Sequence, residues 1–267
     1  MQAGLNVGDD NNDPILSNIM ISKSWTGATW AQEMVQPAGQ TFNYSSFISH
    51  LISQVTERAI DGDLADYARE NLFDPIGIGD VQIDRDPDGK WFGAGPLWMT
   101  SQDMLRFGRL YLNGGKWNGE QLVPKHWVSD STRNQIGNQA ATVSDIISTG
   151  YGYQWWVFND AYAAIGVGGQ MVMIIPGLDF VAVMTRADPT FDLVDGYLLR
   201  ALKSVYWKAA ANPDAVAELD SLIQKMGKPT KTSSTGSPTL ARAISGQRFE
   251  FKSSDAPDWA NTYRAFT

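Results

Sequence analysis

The sequence predicts a mixed α/β protein in which an antiparallel sheet is flanked by helices. Two observations carry this. Two apolar, strand-like runs, residues 170–175 and 180–185, are joined at Pro176-Gly177-Leu178-Asp179, a turn composition that folds neighbouring strands back on each other. Stripes of apolar residues at helical spacing precede and follow that pair. With 267 residues, 43% of them hydrophobic, the chain can bury a sizeable core in one large domain or two small ones.

Along the chain, short helical pieces are expected at residues 14–21 and 28–35, and a longer helix over 44–60. In that helix Phe47, Ile48, Leu51, Ile52 and Val55 fall on one stripe. Residues 63–73 form a second helix, closed by Asp74-Pro75 and Gly77. Residues 79–99 read as irregular or hairpin-like around Asp86-Pro-Asp-Gly-Lys90. Thr100 or Ser101 can cap a helix running to Leu112, with Asp103 near its positive end. Trp117-Asn-Gly-Glu120 is a two-residue hairpin signal, because Asn-Gly tolerates positive φ at both central positions. Pro124 opens a helix to about residue 130. Residues 151–158 alternate like a strand, 192–207 form a helix that can pack on the sheet, and 215–226 form one more. Residues 227–239 have a linker composition, and Ile244 to Lys252 reads as a short strand.

Composition excludes several function classes. The net charge is −8 and no basic run tracks a phosphate backbone, so nucleic acid is not an expected partner. No stretch approaches the roughly 18 consecutive apolar residues of a membrane-spanning helix. The absence of cysteine removes disulfides, thiolate metal ligands and a thiol nucleophile, and leaves the compartment open. His50 and His126, the two histidines, share no paired spacing, so neither a zinc site nor a histidine triad is expected. Both read as structural or surface groups. The run Asp9-Asp-Asn-Asn-Asp13 lacks the register of a calcium loop and reads as a solvated loop. No metal or cofactor is expected.

Two motifs carry chemistry. Residues 37–46 read Pro-Ala-Gly-Gln-Thr-Phe-Asn-Tyr-Ser-Ser, and residues 166–170 read Gly-Val-Gly-Gly-Gln before an apolar strand. Together they resemble the second and third active-site motifs of the serine β-lactamase and penicillin-binding superfamily. The branch they resemble holds class C β-lactamases, DD-peptidases and β-lactamase-like esterases. Colinear pieces extend the resemblance over about residues 1–208: Met1-Gln-Ala-Gly-Leu5, Asn71-Leu-Phe-Asp-Pro-Ile-Gly-Ile78, the Gly93 to Gly108 stretch, Leu122-Val-Pro-Lys-His-Trp-Val128 and Tyr151-Gly-Tyr-Gln-Trp-Trp156. The resemblance implies a β-lactamase/transpeptidase-like fold, its sheet packed against an all-helical region from about residue 40 to 145. It implies a hydrolase domain at 1–208, a helix and linker at 209–239, and at 240–267 the start of a small C-terminal β-domain or a tail.

The same resemblance implies site residues. Tyr44 would shuttle a proton during acyl transfer, and the N–H of Gln170 would be one oxyanion donor. Ser46 stands where many relatives carry asparagine and could donate to a substrate carbonyl; capping the helix is the plainer alternative. Val167-Gly168-Gly169 occupies the place of a Lys-Thr-Gly run. Valine supplies no cation for a substrate carboxylate, so a neutral ester or amide is the expected small-molecule substrate. Trp98 and Trp155 are candidate pocket walls, although core packing is the commoner fate of tryptophan. The family's nucleophile motif, Ser-x-x-Lys, does not occur in the sequence. The chain is therefore expected to be N-terminally incomplete. Its activity would be that of an esterase- or amidase-type serine hydrolase in full-length form. A non-catalytic binding module and one half of a split enzyme stand as alternatives. A homodimer or a complementing chain is expected to cover the open sheet edge.

Overall fold

The computed structural model describes residues 1–9, 14–138, 142–143, 146–185 and 213–226. The chain divides into two compact units, Met1–Trp207 and Lys208–Thr267. In the second unit a helix is described over Pro213–Met226. The expected helix at 192–207, the linker at 227–239 and the strand near 244–252 lie outside the described residues.

The first unit opens with α1 (Pro14–Met20) and α2 (Trp25–Trp30), then the longer α3 (Ser46–Ile60). Ser45 caps α3 by accepting from the Ile48 N–H, and Asp61 ends it in the left-handed region at φ 51°. The inward face differs from the apolar stripe the sequence suggests. Phe47, Ile48 and Leu51 are buried, but Ile52 and Val55 are exposed, and His50, Ser53 and Glu57 turn inward instead. These polar groups are tolerated because the 84–93 loop supplies partners. The Ser53 hydroxyl donates to the His50 carbonyl, with the Trp91 carbonyl 3.2 Å away, and Lys90 pairs with Glu57.

The helix expected over 63–73 is real in extent but not uniform. Asp63 caps α4 (Leu64–Ala68) through the Ala65 and Asp66 N–H groups, and a wider π-type turn, Arg69–Phe73, continues it to Gly77. The short pair β1 (Gln82–Ile83) and β2 (Leu97–Trp98) follows. α5 (Ser101–Leu112) begins with a reciprocal cap: Thr100 Oγ1 accepts from the Asp103 N–H, while Asp103 accepts from the Thr100 N–H and hydroxyl. β3 (Lys116–Trp117) and β4 (Glu120–Gln121) form the expected hairpin, with Asn118 and Gly119 at φ 48° and 92°. α6 (Lys125–Thr132) follows Pro124, and β5 (Thr142–Val143) pairs with β6 (Ile146–Ile147).

The main sheet is an antiparallel meander of β7 (Gly150–Tyr151), β8 (Trp156–Val157), β9 (Tyr162–Gly166), β10 (Gln170–Ile175) and β11 (Phe180–Met184). Here the single strand expected at 151–158 is corrected. The chain turns back between Tyr151 and Trp156, with Gln154 at φ 66° and the Gly152 N–H donating to the Trp155 carbonyl. No side chain fits at Gly152, since a Cβ would lie 2.0 Å from the Ser131 carbonyl oxygen. β9 gave no strand signal because Ala163 and Ala164 have weak β-propensity; its pairing with β8 and β10 fixes it.

α5 lies against β10 and β11 on one face of the sheet. Gly108 makes the close approach possible, because a Cβ there would meet Val181 Cγ1 at 2.5 Å and Val172 Cγ1 at 3.0 Å. Tyr111, Val128, Trp155, Tyr162, Val172 and Ile174 fill this core. Ala163, Met171, Met173 and Ile175 point to the opposite face.

Candidate functional site

Tyr44 is positioned by two long-range returns of the chain. Residues 1–9 run back along residues 39–46: the Asn43 N–H donates to the Met1 carbonyl, the Gly39 N–H to the Gln2 carbonyl, and the Asn43 amide to the Val7 carbonyl. Asp9 then meets the start of α3. Its carboxylate accepts from the Ser46 N–H at 2.7 Å and from the Ser46 hydroxyl at 2.6 Å. The second return is the β7–β8 turn. The Tyr44 ring stacks on Trp156, with centroids 5.6 Å apart and planes 19° from parallel, and meets Tyr151 edge-on. Phe42 packs on Tyr151 as well, closing a four-ring cluster. Gln154 Oε1 accepts from both Ser49 on α3 and the Tyr151 hydroxyl, tying helix to turn.

In the antiparallel meander the β7–β8 turn and the β9–β10 turn leave the same end of the sheet. That end bears the Tyr44 cluster at one place and Val167–Gly169 at the other. Gly168 and Gly169 adopt φ 79° and 86°, the left-handed region that favours glycine. Val167 is 81% exposed, Gly169 is buried, and Gln170 starts β10 opposite Gly166.

The electrostatics of the phenol follow from this geometry. Burial raises the Tyr44 hydroxyl above the usual phenol range, and the Asp9 carboxylate raises it further. Tyr151 is pushed up more strongly, by burial first and then by Tyr44 and Asp9. In this setting Tyr44 is a protonated phenol, a donor rather than a base. A cation beside it would be needed to favour the phenolate.

The remaining candidates separate. Ser46 sits beside Tyr44, but its hydroxyl proton is directed at Asp9, while Ser45 serves as the helix cap. Trp155 does not face a cleft: it is 4% exposed and packs among Phe107, Tyr111 and Tyr162. Its neighbour Trp156 is the ring against Tyr44. Trp98 is 61% exposed on β2 and, among the described residues, makes no ring contact with the Tyr44 cluster. His126 is exposed, and His50 is fully buried against Asp86. Among the described residues no group of three or more metal-ligating side chains is present.

Sequence reasoning placed Asp9 in a solvated loop and gave Tyr151 no role of its own. Tyr151 and Trp156 lie at the two ends of one motif, but reading that motif as one alternating strand hid the turn that points Trp156 at Tyr44. Asp9 has no local signal, since its role exists only through contact with Ser46, 37 residues away.

Known proteins resemble this chain in sequence and fold. A 6-aminohexanoate-dimer hydrolase of Paenarthrobacter ureafaciens is 27% identical over 181 residues, covering 61% of this chain and 46% of its own length. The chain thus spans about half of that relative. The octameric penicillin-binding protein homologue of Pyrococcus abyssi superposes with a TM-score of 0.56 at 16% identity, over 76% of this chain and 54% of its own. The penicillin-binding protein of Bacillus halodurans gives 0.55 at 14% identity, over 77% and 71%. These two likenesses establish a β-lactamase/transpeptidase-like fold. The family model for beta-lactamase matches residues 1–203, and the chain belongs to that family of hydrolases.

Proposed function

We propose that this chain forms the tyrosine-bearing wall of an acyl-transfer cleft that hydrolyses small neutral esters or amides. The single observation that carries the reading is Tyr44 held against Trp156 at the sheet end that also bears the Val167–Gly169 turn. In the family's chemistry a serine oxygen attacks the acyl carbon, the leaving group departs with a proton, and water then releases the acid. Tyr44 would relay that proton, and the N–H of Gln170 would hydrogen-bond the oxyanion. Gly168 and Gly169 would let substrate approach the backbone. Val167 offers no positive charge, which favours a neutral acyl group over a carboxylate-bearing one.

The sequence contains no Ser-x-x-Lys, so the attacking serine and its lysine would come from polypeptide beyond these residues or from a complementing chain. The raised phenol agrees with this: without a neighbouring ammonium, Tyr44 stays protonated. Incubation with p-nitrophenyl butyrate, nitrocefin and a fluorophosphonate probe tests the reading. By itself the 267-residue chain should release no chromophore and take up no label. A fluorophosphonate adduct on any serine of this chain would overturn it.

A second reading, a binding module without chemistry, is favoured by the engagement of the Ser46 hydroxyl with Asp9. The two readings part on complementation. Supplying a segment with Ser-x-x-Lys should restore ester turnover to the cleft, and should leave a binding module inert. Sedimentation analysis tests the complementing or dimeric partner; a strictly monomeric chain that binds no exposed-apolar dye counts against it.

A further inference from the structure

We infer that Gln154 is a positioning residue for the Tyr44 phenol, and that the chain keeps a left-handed backbone at the β7–β8 turn to place it there. The consequence for turnover rests on the acyl-transfer reading; the positioning itself rests on the geometry of the turn.

The backbone comes first. Gln154 has φ 66°, in the region where Cβ crowds the following carbonyl oxygen. Among the described residues four non-glycine residues adopt positive φ: Asp61, Asn118, Gln154 and Asp179. Aspartate and asparagine enter this region readily, because their short polar side chains hydrogen-bond to the nearby backbone. The glutamine side chain is longer, and its amide oxygen is engaged elsewhere, so the conformation has no such local compensation. Glycine would satisfy the turn without strain. The Gln154 side chain is also exposed, so it adds little to the core. What distinguishes it from glycine is what its amide oxygen holds.

That oxygen accepts from Ser49 Oγ and from the Tyr151 hydroxyl, each at 3.3 Å, which uses both of its lone pairs. Hydroxyl bonds of this length add little stability, and their effect is on orientation. Ser49 lies one helical turn beyond the Ser45 cap and has the Ser45 carbonyl as a second acceptor at 3.4 Å. The Tyr151 hydroxyl has no other partner among the described residues. Tyr151 in turn locates Tyr44. Stacking on Trp156 sets the tilt of the Tyr44 ring but leaves it free to slide in its own plane. Tyr151 stands edge-on to both rings, at 89° to Tyr44 and 88° to Trp156, and blocks that slide. Tethering Tyr151 to Gln154, and Gln154 to Ser49, fixes the phenol relative to the start of α3.

The test uses the full 267-residue chain. Tyr44 ring protons, assigned by their change in Tyr44→Phe, lie over the Trp156 indole and report their place through its ring-current shift. Gln154→Gly relaxes the backbone and removes the tether. It should leave the urea midpoint unchanged or raise it, while the Tyr44 signals move toward those of free tyrosine. Gln154→Met keeps the side-chain length and the strained backbone, lacks the amide oxygen, and should move the Tyr44 signals the same way. Gln154→Glu keeps an acceptor at Oε1 and should hold them at their native positions. With a complementing Ser-x-x-Lys segment, the glycine and methionine variants should lose about tenfold or more in kcat with KM held, and the glutamate variant should recover it. Unmoved Tyr44 signals in Gln154→Gly and Gln154→Met, signals displaced equally in Gln154→Glu, or native kcat in the two tether-free variants would each overturn the inference. No turnover by the complemented native chain would instead count against the acyl-transfer reading, and the ring signals would still judge Gln154.

Discussion

The ring of Tyr44 lies on the indole of Trp156, 5.6 Å between centroids and 19° from parallel, and this stack joins the start of α3 to the end of the sheet. Trp156 is 8% exposed, so truncating it removes both the stack and a piece of the core. Trp156→Ala should cost about 3–5 kcal/mol in denaturant unfolding. Tyr44→Phe should cost less than about 1 kcal/mol, because among the described residues the hydroxyl makes no hydrogen bond. A double-mutant cycle between Tyr44→Ala and Trp156→Ala should give a coupling of about 0.5–1.5 kcal/mol. Additive losses would mean the two rings do not touch in solution.

Phenol titration gives a second prediction. Burial raises Tyr44, Tyr151 and Tyr162 above the ordinary value, with Asp9 adding to the first two and Tyr111 to the third. In the unfolded chain these phenols ionise near pH ~10. As the pH rises past that value the unfolded state loses protons that the folded state keeps, so stability must fall. Absorbance at alkaline pH should show the Tyr44, Tyr151 and Tyr162 phenols ionising above the ordinary phenol range, with the loss of folded structure. Asp9→Asn should bring Tyr44 down toward the ordinary range. Ionisation of these three phenols near the reference value in the folded protein would contradict the burial of the cluster.

What the sequence disclosed and what it hid divide along contact range. Local chemistry was legible: the Thr100–Asp103 cap, the Asn118-Gly119 hairpin and the β10–β11 pair each depend on residues a few positions apart. Tyr44 and the glycines of the β9–β10 turn were legible through motif order. The inward face of α3 was not. An apolar stripe through Ile52 and Val55 looks like a buried one, but the 84–93 loop brings polar partners that bury His50, Ser53 and Glu57 instead. Residues 151–158 read as one strand because the alternation continues on both sides of the turn at Gly152–Gln154, which folds Tyr151 back against Trp156 and leaves Trp155 in the core under α5. Asp9 depends wholly on tertiary return and leaves no trace in spacing.

The buried pair His50–Asp86 makes stability depend on acid pH. His50 Nε2 lies 3.1 Å from Asp86 Oδ2, and both side chains are 0% exposed. Trp25 and Phe92 surround the imidazole, and Thr26 Oγ1 lies 3.3 Å from Nε2. Asp86 and Asp88 are the loop charges that favour the imidazolium, while Glu57 is paired with Lys90. Desolvation outweighs their pull and holds His50 below its usual value. As pH falls through about 6.5 the unfolded chain takes up the proton first, so folding stability falls with it. His50→Gln should flatten this acid limb in urea unfolding series at stepped pH. Asp86→Ala also strips the acceptor of the Lys90 N–H and should cost about 1–3 kcal/mol, the penalty of an unpaired donor. An unchanged acid limb in His50→Gln would show that another group controls it.

Gly108 tests how α5 is seated on the sheet that carries the site. In an exposed helix interior, glycine to alanine gains about 1 kcal/mol from propensity. Here the added Cβ would lie 2.5 Å from Val181 Cγ1 and 3.0 Å from Val172 Cγ1, both side-chain atoms of the sheet face beneath α5. Overpacking of this kind costs about 1–3 kcal/mol, which outweighs the propensity gain. Gly108→Ala should therefore destabilise by up to about 2 kcal/mol. Val181→Ala in the same chain should recover part of that loss, since it removes the nearer methyl. On a native background Val181→Ala should destabilise, so the sign of its effect reverses between the two backgrounds. Gly108→Ala stabilising the protein, or Val181→Ala acting alike in both, would mean that α5 rides higher above β10 and β11 than these distances require.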